Sequence, residues 1–202
     1  IYGVREPIWA YVYDQTVTGL AMTDGTCSLG QFAEPMIEPE IVFHFRSAPP
    51  VGADLPSLLA SIDWVAHAFE IVQSHYPGWK FQPADTVADC SLHGTLLLGE
   101  SVPVDQLASD PVAALESFSM ALSRNGEVLE VGRGANVLGN PLIALVHLIS
   151  VLSKQSEFLP LQANEIVTTG SITLAQAVRP GESWQTKLQG IALPELTVEF
   201  VP

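Results

Sequence analysis

The sequence predicts a single α+β domain over residues 1–202, and three observations carry that reading. Most apolar stretches are short and rich in β-branched and aromatic side chains, and several alternate apolar with polar residues, the pattern of strands. Turn dipeptides of the hairpin type, Asp24-Gly25 and Asn125-Gly126, separate some of them. One stretch, Pro141 to Lys154, carries a full set of helix signals instead. With 202 residues, 48% of them hydrophobic, the chain can build one sizeable core, and no repeat, low-complexity tract or linker divides it.

Charge and composition narrow the partners. Against 8 basic residues stand 22 acidic ones, a formal net charge of -14, which argues against nucleic acid or an anionic membrane. A small anionic substrate stays open, because a bound divalent cation can reverse the local field. Only 15% of residues are charged, so we expect part of the surface to be covered in a homo-oligomer. Cys27 and Cys90 are too few for a disulfide framework and lack zinc-like spacing, which suits a reducing, cytoplasmic setting. The longest apolar run, Pro141 to Leu152, is interrupted by His147 and is too short to span a bilayer; no secretory signal is visible.

In chain order, Tyr2 to Gly19 reads as extended, and Leu20 to Gly30 holds the Asp24-Gly25 turn. Ile37 to Phe45 reads as a strand, followed by a loop through Ser47 to Gly52. Asp54 to Ile62 is expected to be a short helix, with Asp54 as N-cap and Pro56 in the first turn. Trp64 to Gln73 fits helix and strand periods equally. A turn-rich loop spans Ser74 to Pro83, and a strand through Thr95 to Leu98 ends at Gly99. Val112 to Arg124 has strand-like stretches, and Asn125-Gly126 joins Met120–Arg124 to Glu127–Val131 as a hairpin. Gly132, Gly134 and Gly139 form a loop without the dinucleotide fingerprint. The helix from Pro141 takes Asn140 as N-cap and Pro141 at N1, with His147 as a packed or interface residue. Glu165 to Thr173 is a strand entering a Thr-Gly-Ser turn. After an Arg179–Glu182 turn, Trp184–Leu188 and Leu196–Val201 close the fold as strands.

The chemistry gathers on the acidic strand. Alternation puts Ile37, Ile41, Phe43 and Phe45 on one face and Glu38, Glu40 and His44 on the other. Residues two apart on a strand lie roughly 6–7 Å apart and point the same way, so Glu38 and Glu40 can converge on one cation. His44 is about 13 Å along the strand from Glu40 and cannot share that ion. Pro39 lacks an N–H and points to an edge or a bulge. Read as a strand, the next segment aligns Ala66, Ala68 and Glu70, an acid behind two small residues that needs a partner or a metal when buried. Glu-x-Glu alone is a weak motif, and taken alone it reads first as a half-exposed strand with solvated acids. The amides and hydroxyl of the Thr169-Gly170-Ser171 turn can nest a carboxylate; a plain turn is the alternative.

In order, Glu38-Pro39-Glu40-Ile41-Val42-Phe43, Ala68-Phe69-Glu70-Ile71-Val72, and Thr169-Gly170-Ser171-Ile172-Thr173 with Pro180-Gly181-Glu182 resemble the fumarylacetoacetate hydrolase superfamily. The likeness is strongest to its 2-keto-4-pentenoate hydratase and 4-oxalocrotonate decarboxylase branch. It extends to Arg124-Asn125-Gly126 and to Gly132 through Pro141. The resemblance implies a mixed β-roll with flanking helices, assembled into dimers or larger rings. It implies Mg²⁺ or Mn²⁺ held by Glu38, Glu40 and Glu70, and a substrate carboxylate held at Gly170 and Ser171. In that family a 2-keto acid chelates the metal, whose Lewis acidity stabilises the enolate that develops.

Three departures accompany the likeness. The family's opening segment, with its active-site lysine, is not part of this sequence, so no catalytic residue is assigned. Ile8, in Glu6-Pro7-Ile8-Trp9, stands where relatives carry an acid, and it cannot transfer a proton. Asp89-Cys90-Ser91 replaces an Asp-Asn-Ala stretch. The expected activity is a metal-dependent lyase, hydratase or decarboxylase, acting on 2-keto or 2-hydroxydienoic acids. The alternatives are an acylpyruvate-type hydrolase, with His44, His67 and His93 as candidate bases, and a catalytically reduced binding subunit.

Overall fold

The computed structural model describes residues 7–202, so Tyr2 to Glu6 of the expected extended stretch lie outside the described residues; of its remainder only Val17–Gly19 is strand, and Asp14–Thr16 is a 3-10 turn. Two long strands form its spine: β3 (Met36–Phe45) and β4 (Ile62–Val72) pair antiparallel from Met36 opposite Val72 to Phe45 opposite Ile62. β5 (His93–Pro103) flanks β4, and the short β1 (Val17–Gly19) runs parallel beside it. On the far side of β3, β8 (Ile166–Thr168) and β9 (Gln176–Ala177) cover different parts of its edge. A second sheet takes the order β2 (Thr26–Ser28), β11 (Thr197–Val201), β10 (Ser183–Gln189), β6 (Ser119–Arg124) and β7 (Glu127–Arg133). Both sheets are mixed: β1–β5 and β2–β11 are parallel pairs and the others antiparallel.

The sheets meet through apolar faces that the alternation predicts. Ile37, Phe69, Ile71 and Leu97 pack with Leu122, Trp184, Val198 and Phe200. Ile41, Phe43 and Phe45 pack with Phe118, Met120 and the helices α1 (Leu55–Leu59), α3 (Pro111–Ser117) and α4 (Pro141–Leu152). α2 (Pro83–Ala88) lies outside these clusters. Burying a Phe or Leu side chain stabilises by about 1.5–3 kcal/mol, so the two clusters fix which way β3 and β4 face.

Several expectations stand as read. Asp54 caps α1 by accepting the Ser57 N–H at 2.9 Å, and Asn140 caps α4 by accepting that of Leu142 at 2.9 Å. Asn125 and Gly126, at φ 50° and 83°, turn β6 into β7. Ser183 N–H donates to Asn125 Oδ1 at 2.9 Å, and Arg124 faces Glu182 at 3.7 Å, so these two stretches of the family pattern brace one corner of the second sheet. The segment Trp64 to Gln73 resolves as strand, because β3 and β5 supply ladder partners on both sides.

Others are corrected. Pro39 lies on an interior strand and at no bulge; the register shift in this pair comes between His44 and Phe45. Its missing N–H is tolerated because β9 covers β3 only at Met36–Ile37 and β8 only at Val42–His44, leaving Pro39 between them. Asp24 and Gly25 form a tight left-handed turn (φ 51° and 73°), yet no hairpin results, because β1 and β2 belong to different sheets. The start of the Val112 stretch is helix α3, capped by Asp110, whose Oδ1 accepts the Ala113 N–H at 3.1 Å. β5 continues past Gly99 to Pro103 through a register shift opposite Ala66 and Ala68. The apolar stretch Gly134–Leu152 is long enough by composition to cross a bilayer. Its first residues are a separate 3-10 turn, however, and α4 proper packs Leu142, Leu145 and Ile149 into the core.

Candidate metal centre

The β3–β4 register sets the site. Glu38 lies directly opposite Glu70, and Glu40 opposite Ala68, all on the face turned away from the second sheet. Small Ala66 and Ala68 leave that face low beside the acids. One carboxylate oxygen from each of Glu38, Glu40 and Glu70 lies within 4.8 Å of the others. The three acids that the sequence singled out are thus brought together.

Burial and mutual repulsion govern their charge. Glu40 is 2% exposed, and its carboxyl is pushed well above the usual range by burial, then by the charges of Glu70 and Glu38. Gly170 N–H, donating to Glu40 Oε2 at 3.1 Å, and the Thr168 hydroxyl pull the other way without prevailing. Glu38 is pushed up to about 7 by burial and by Glu70. Among the described residues no Lys or Arg forms an ion pair with any of the three. Buried like charges of this kind are costly unless a cation joins them, and an all-oxygen donor set suits a hard divalent ion. The residues present therefore fit Mg²⁺ or Mn²⁺.

Four of the five histidines take distinct places near the sheets, the fifth, His75, pairing with Asp89 at 2.8 Å away from them. His93 Nδ1 is 2.5 Å from Glu70 Oε1, and its Nε2 is 2.8 Å from Thr16 Oγ1. His67 is buried between the sheets: Nδ1–H donates to the Glu40 carbonyl at 3.0 Å and Nε2 meets Thr186 Oγ1 at 3.0 Å. Burial pushes His67 down to about 4. His44 pairs with Asp63 at 2.6 Å and stacks on Trp64, so of the three candidate bases only His93 lines the cavity described below. His147 is half-buried on α4 and also lines it.

The Thr169–Thr173 turn is pinned from two sides. Ile172 N–H donates to the Pro39 carbonyl at 2.9 Å, and the Ile172 carbonyl accepts from Asn136 Nδ2 at 2.9 Å. Gly132 on β7 is where this turn lands: a Cβ there would overlap the Ile172 carbonyl and side chain. The glycine loop that showed no phosphate-binding pattern is a packing surface for the site turn. Gly170 (φ 94°) commits its amide to Glu40, whereas Ser171 Oγ is buried with no hydrogen-bond partner.

A cavity of about 970 Å³ contains all three acids and Gly170. Apolar and aromatic side chains line most of the rest, among them Trp9, Tyr11, Leu148, Val151, Leu159 and Leu161, with Asp14 and Glu165 as further acids. Ile8 faces it as well. Cys90 and Ser91, marked by the sequence only as a departure from the family pattern, and Leu92, which it did not mark, are three consecutive left-handed residues (φ 46°, 57°, 66°) that also line it. Non-glycine residues rarely adopt this conformation, and such backbone clusters at functional sites. No composition signal marks it.

The fold and site define a class: a two-sheet roll carrying a three-carboxylate cation site in a largely apolar cavity. No family model matches the chain. It is 31% identical over 192 residues to a 4-oxalocrotonate decarboxylase of Pseudomonas putida, covering 94% of this chain and 68% of the relative. It is 33% identical over 196 residues to a 2-keto-4-pentenoate hydratase of Paraburkholderia xenovorans, covering 94% and 67%. The solved 4-oxalocrotonate decarboxylase of Pseudomonas putida G7, complexed with magnesium and adipate, superposes with a TM-score of 0.84 at 28% identity, covering 99% of this chain and 72% of that one. The chain belongs to the family of the 2-keto-4-pentenoate hydratases and 4-oxalocrotonate decarboxylases, and it shares its fold with a fumarylacetoacetate hydrolase family protein of Yersinia pestis, at a TM-score of 0.64 and 18% identity over 92% of this chain and 78% of that one.

Proposed function

We propose that this protein is a divalent-metal-dependent lyase acting on 2-keto or 2-hydroxydienoic acids of the kind formed when aromatic rings are cleaved. The observation that carries the reading is the convergence of Glu38, Glu40 and Glu70 within 4.8 Å in a cavity otherwise lined largely by apolar groups. Those three carboxylates would hold Mg²⁺ or Mn²⁺, which supplies Lewis acidity toward a 2-oxo acid. The chain's own groups do the rest. Gly170 N–H and the Thr168 hydroxyl orient Glu40, and His93 orients Glu70. The Gly170-Ser171 turn is our candidate for the substrate carboxylate: Gly170 lines the cavity with its amide already serving Glu40, and behind the lining the Ser171 hydroxyl is buried and unpartnered. Trp9, Tyr11 and the leucines exclude water from the substrate's carbon chain. A homo-oligomeric enzyme of the cytoplasm fits this reading.

The described lining residues include no Lys or Arg. The test supplies the protein with Mg²⁺ or Mn²⁺ and either 2-hydroxypenta-2,4-dienoate or 2-oxohex-3-enedioate, following loss of dienol absorbance and release of CO₂. Turnover abolished by chelator and by Glu40→Gln is the expected result; turnover surviving both overturns the metal reading. CO₂ release from the dicarboxylate without hydration of the dienoate selects the decarboxylase.

A further inference from the structure

His93 reaches Glu70 through an irregularity in β5. The ladder pairs Glu70 with Leu96 and Ile71 with Thr95, then skips to Val72 with His93, leaving Gly94 as an extra residue. Strict alternation from Leu96 would turn His93 to the face opposite Glu70. The bulge at Gly94 returns it to the Glu70 face. Gly94 is needed there, since a Cβ would lie 2.6 Å from the Ile71 carbonyl.

Both ring nitrogens are then engaged. Nδ1 is 2.5 Å from Glu70 Oε1, with the His93 side chain 6% exposed and that of Glu70 13%. A carboxylate only accepts, so Nδ1 carries the proton. Nε2 is 2.8 Å from Thr16 Oγ1, which also lies 2.9 Å from the Tyr13 carbonyl. Thr16 N–H donates to that carbonyl at 2.9 Å, and Thr95 Oγ1 donates to the Thr16 carbonyl at 2.9 Å. Thr16 ends the 3-10 turn Asp14–Thr16, directly after the segment whose Trp9, Tyr11 and Val12 line the cavity. His93 therefore joins one of the three clustered acids to the base of the cavity wall.

Resting on the metal reading above, we propose that His93 is a positioning residue that holds one oxygen of Glu70 so that the other faces the cation, and that couples cation binding to the order of residues 13–16. A partner behind a metal ligand restricts its rotamers before the ion arrives, and losing such a partner typically costs about 10–100-fold in affinity.

Mn²⁺ affinity is measured by calorimetry on the wild-type chain, His93→Ala, His93→Asn and Thr16→Val, with amide hydrogen exchange at residues 13–19 as the second readout. We expect His93→Ala to weaken Mn²⁺ about 10-fold or more. His93→Asn, which keeps a donor near the Nδ1 position, should recover most of the affinity. Thr16→Val should leave affinity within a few-fold. Mn²⁺ should slow exchange at Thr16–Thr18 in the wild type and not in His93→Ala or Thr16→Val. Wild-type binding with an unchanged affinity in His93→Ala overturns the positioning role and leaves the metal reading standing. Exchange at Thr16–Thr18 that ignores Mn²⁺ in the wild type overturns the coupling. A wild-type chain that binds no Mn²⁺ overturns both the metal reading and the role.

Discussion

Glu38 and Glu70 are direct cross-strand partners in the β3–β4 ladder, two acids facing each other where like charges repel. Glu40, almost wholly buried, completes the cluster. In a protein without a counter-ion this arrangement opposes folding, and a divalent cation turns the same three groups into a cross-link.

Cation binding should therefore raise thermal stability. At a concentration of 100 Kd, Mg²⁺ or Mn²⁺ should add about 2.7 kcal/mol. For a chain of this size that corresponds to a Tm increase of roughly 5–10 °C. Glu40→Gln should abolish most of the increase in differential scanning calorimetry while raising the metal-free Tm, because one buried charge is gone.

The same acids set a pH dependence of definite sign. Glu38 is raised to about 7 and Glu40 well above its usual range, so the folded protein binds more protons than the unfolded chain above the ordinary carboxylate range. Their contribution is complete below the unfolded value near 4.5 and is lost as pH rises through the folded values. His67 has the opposite sign: held down to about 4, it contributes fully above 6.5 and its contribution is lost as pH falls toward 4. Between pH 6.5 and 8 the acids dominate, and His67 offsets part of their loss as the last of the unfolded-state imidazolium deprotonates. Urea unfolding of chelator-treated protein should show a loss of about 1 kcal/mol from Glu38 alone across that window, more with Glu40. Saturating Mg²⁺ should flatten the slope.

His67 ties the strand of the metal ligands to the second sheet through Thr186, whose hydroxyl also accepts the Leu196 N–H at 3.2 Å. Thr186→Val keeps the shape and leaves both His67 Nε2 and that amide unpaired. It should cost about 1–3 kcal/mol per stranded group in chemical denaturation.

Two glycines separate packing from site geometry. A Cβ at Gly134 would overlap the Leu115 carbonyl, and one at Gly132 the Ile172 carbonyl. Either Gly→Ala change should destabilise by about 1–3 kcal/mol. Only Gly132→Ala displaces the turn that presents Gly170 to Glu40, so only that variant should also weaken Mn²⁺ in calorimetry.

The hydrophobic and acidic alternation of Ile37 to Phe45 was enough to set the faces of β3, because a period of two leaves one apolar side for the core. The caps at Asp54 and Asn140 were equally legible, since a short polar side chain before an N1 or N2 proline has little else to do. The same signal stands at Asp110-Pro111, and there the local cap prevails over the strand-like reading of the Val112 stretch. Pro39 misled, because whether a missing donor matters depends on what lies beside the strand, and β8 and β9 happen to leave a gap. The helix-or-strand ambiguity of Trp64 to Gln73 could not be broken locally, as Val65, Phe69 and Val72 fit a helical stripe while Val65, Phe69 and Ile71 fit a strand face.

By itself the sequence determined which residues could serve a cation: three acids, two of them spaced for one face of a strand. Only the tertiary structure decided that they meet, because the distance between Glu70 and Glu38 is a matter of ladder register between strands thirty residues apart. It likewise decided where His93 points: it turns toward Glu70 through one extra residue in β5, whereas alternation alone would have assigned it to the other face.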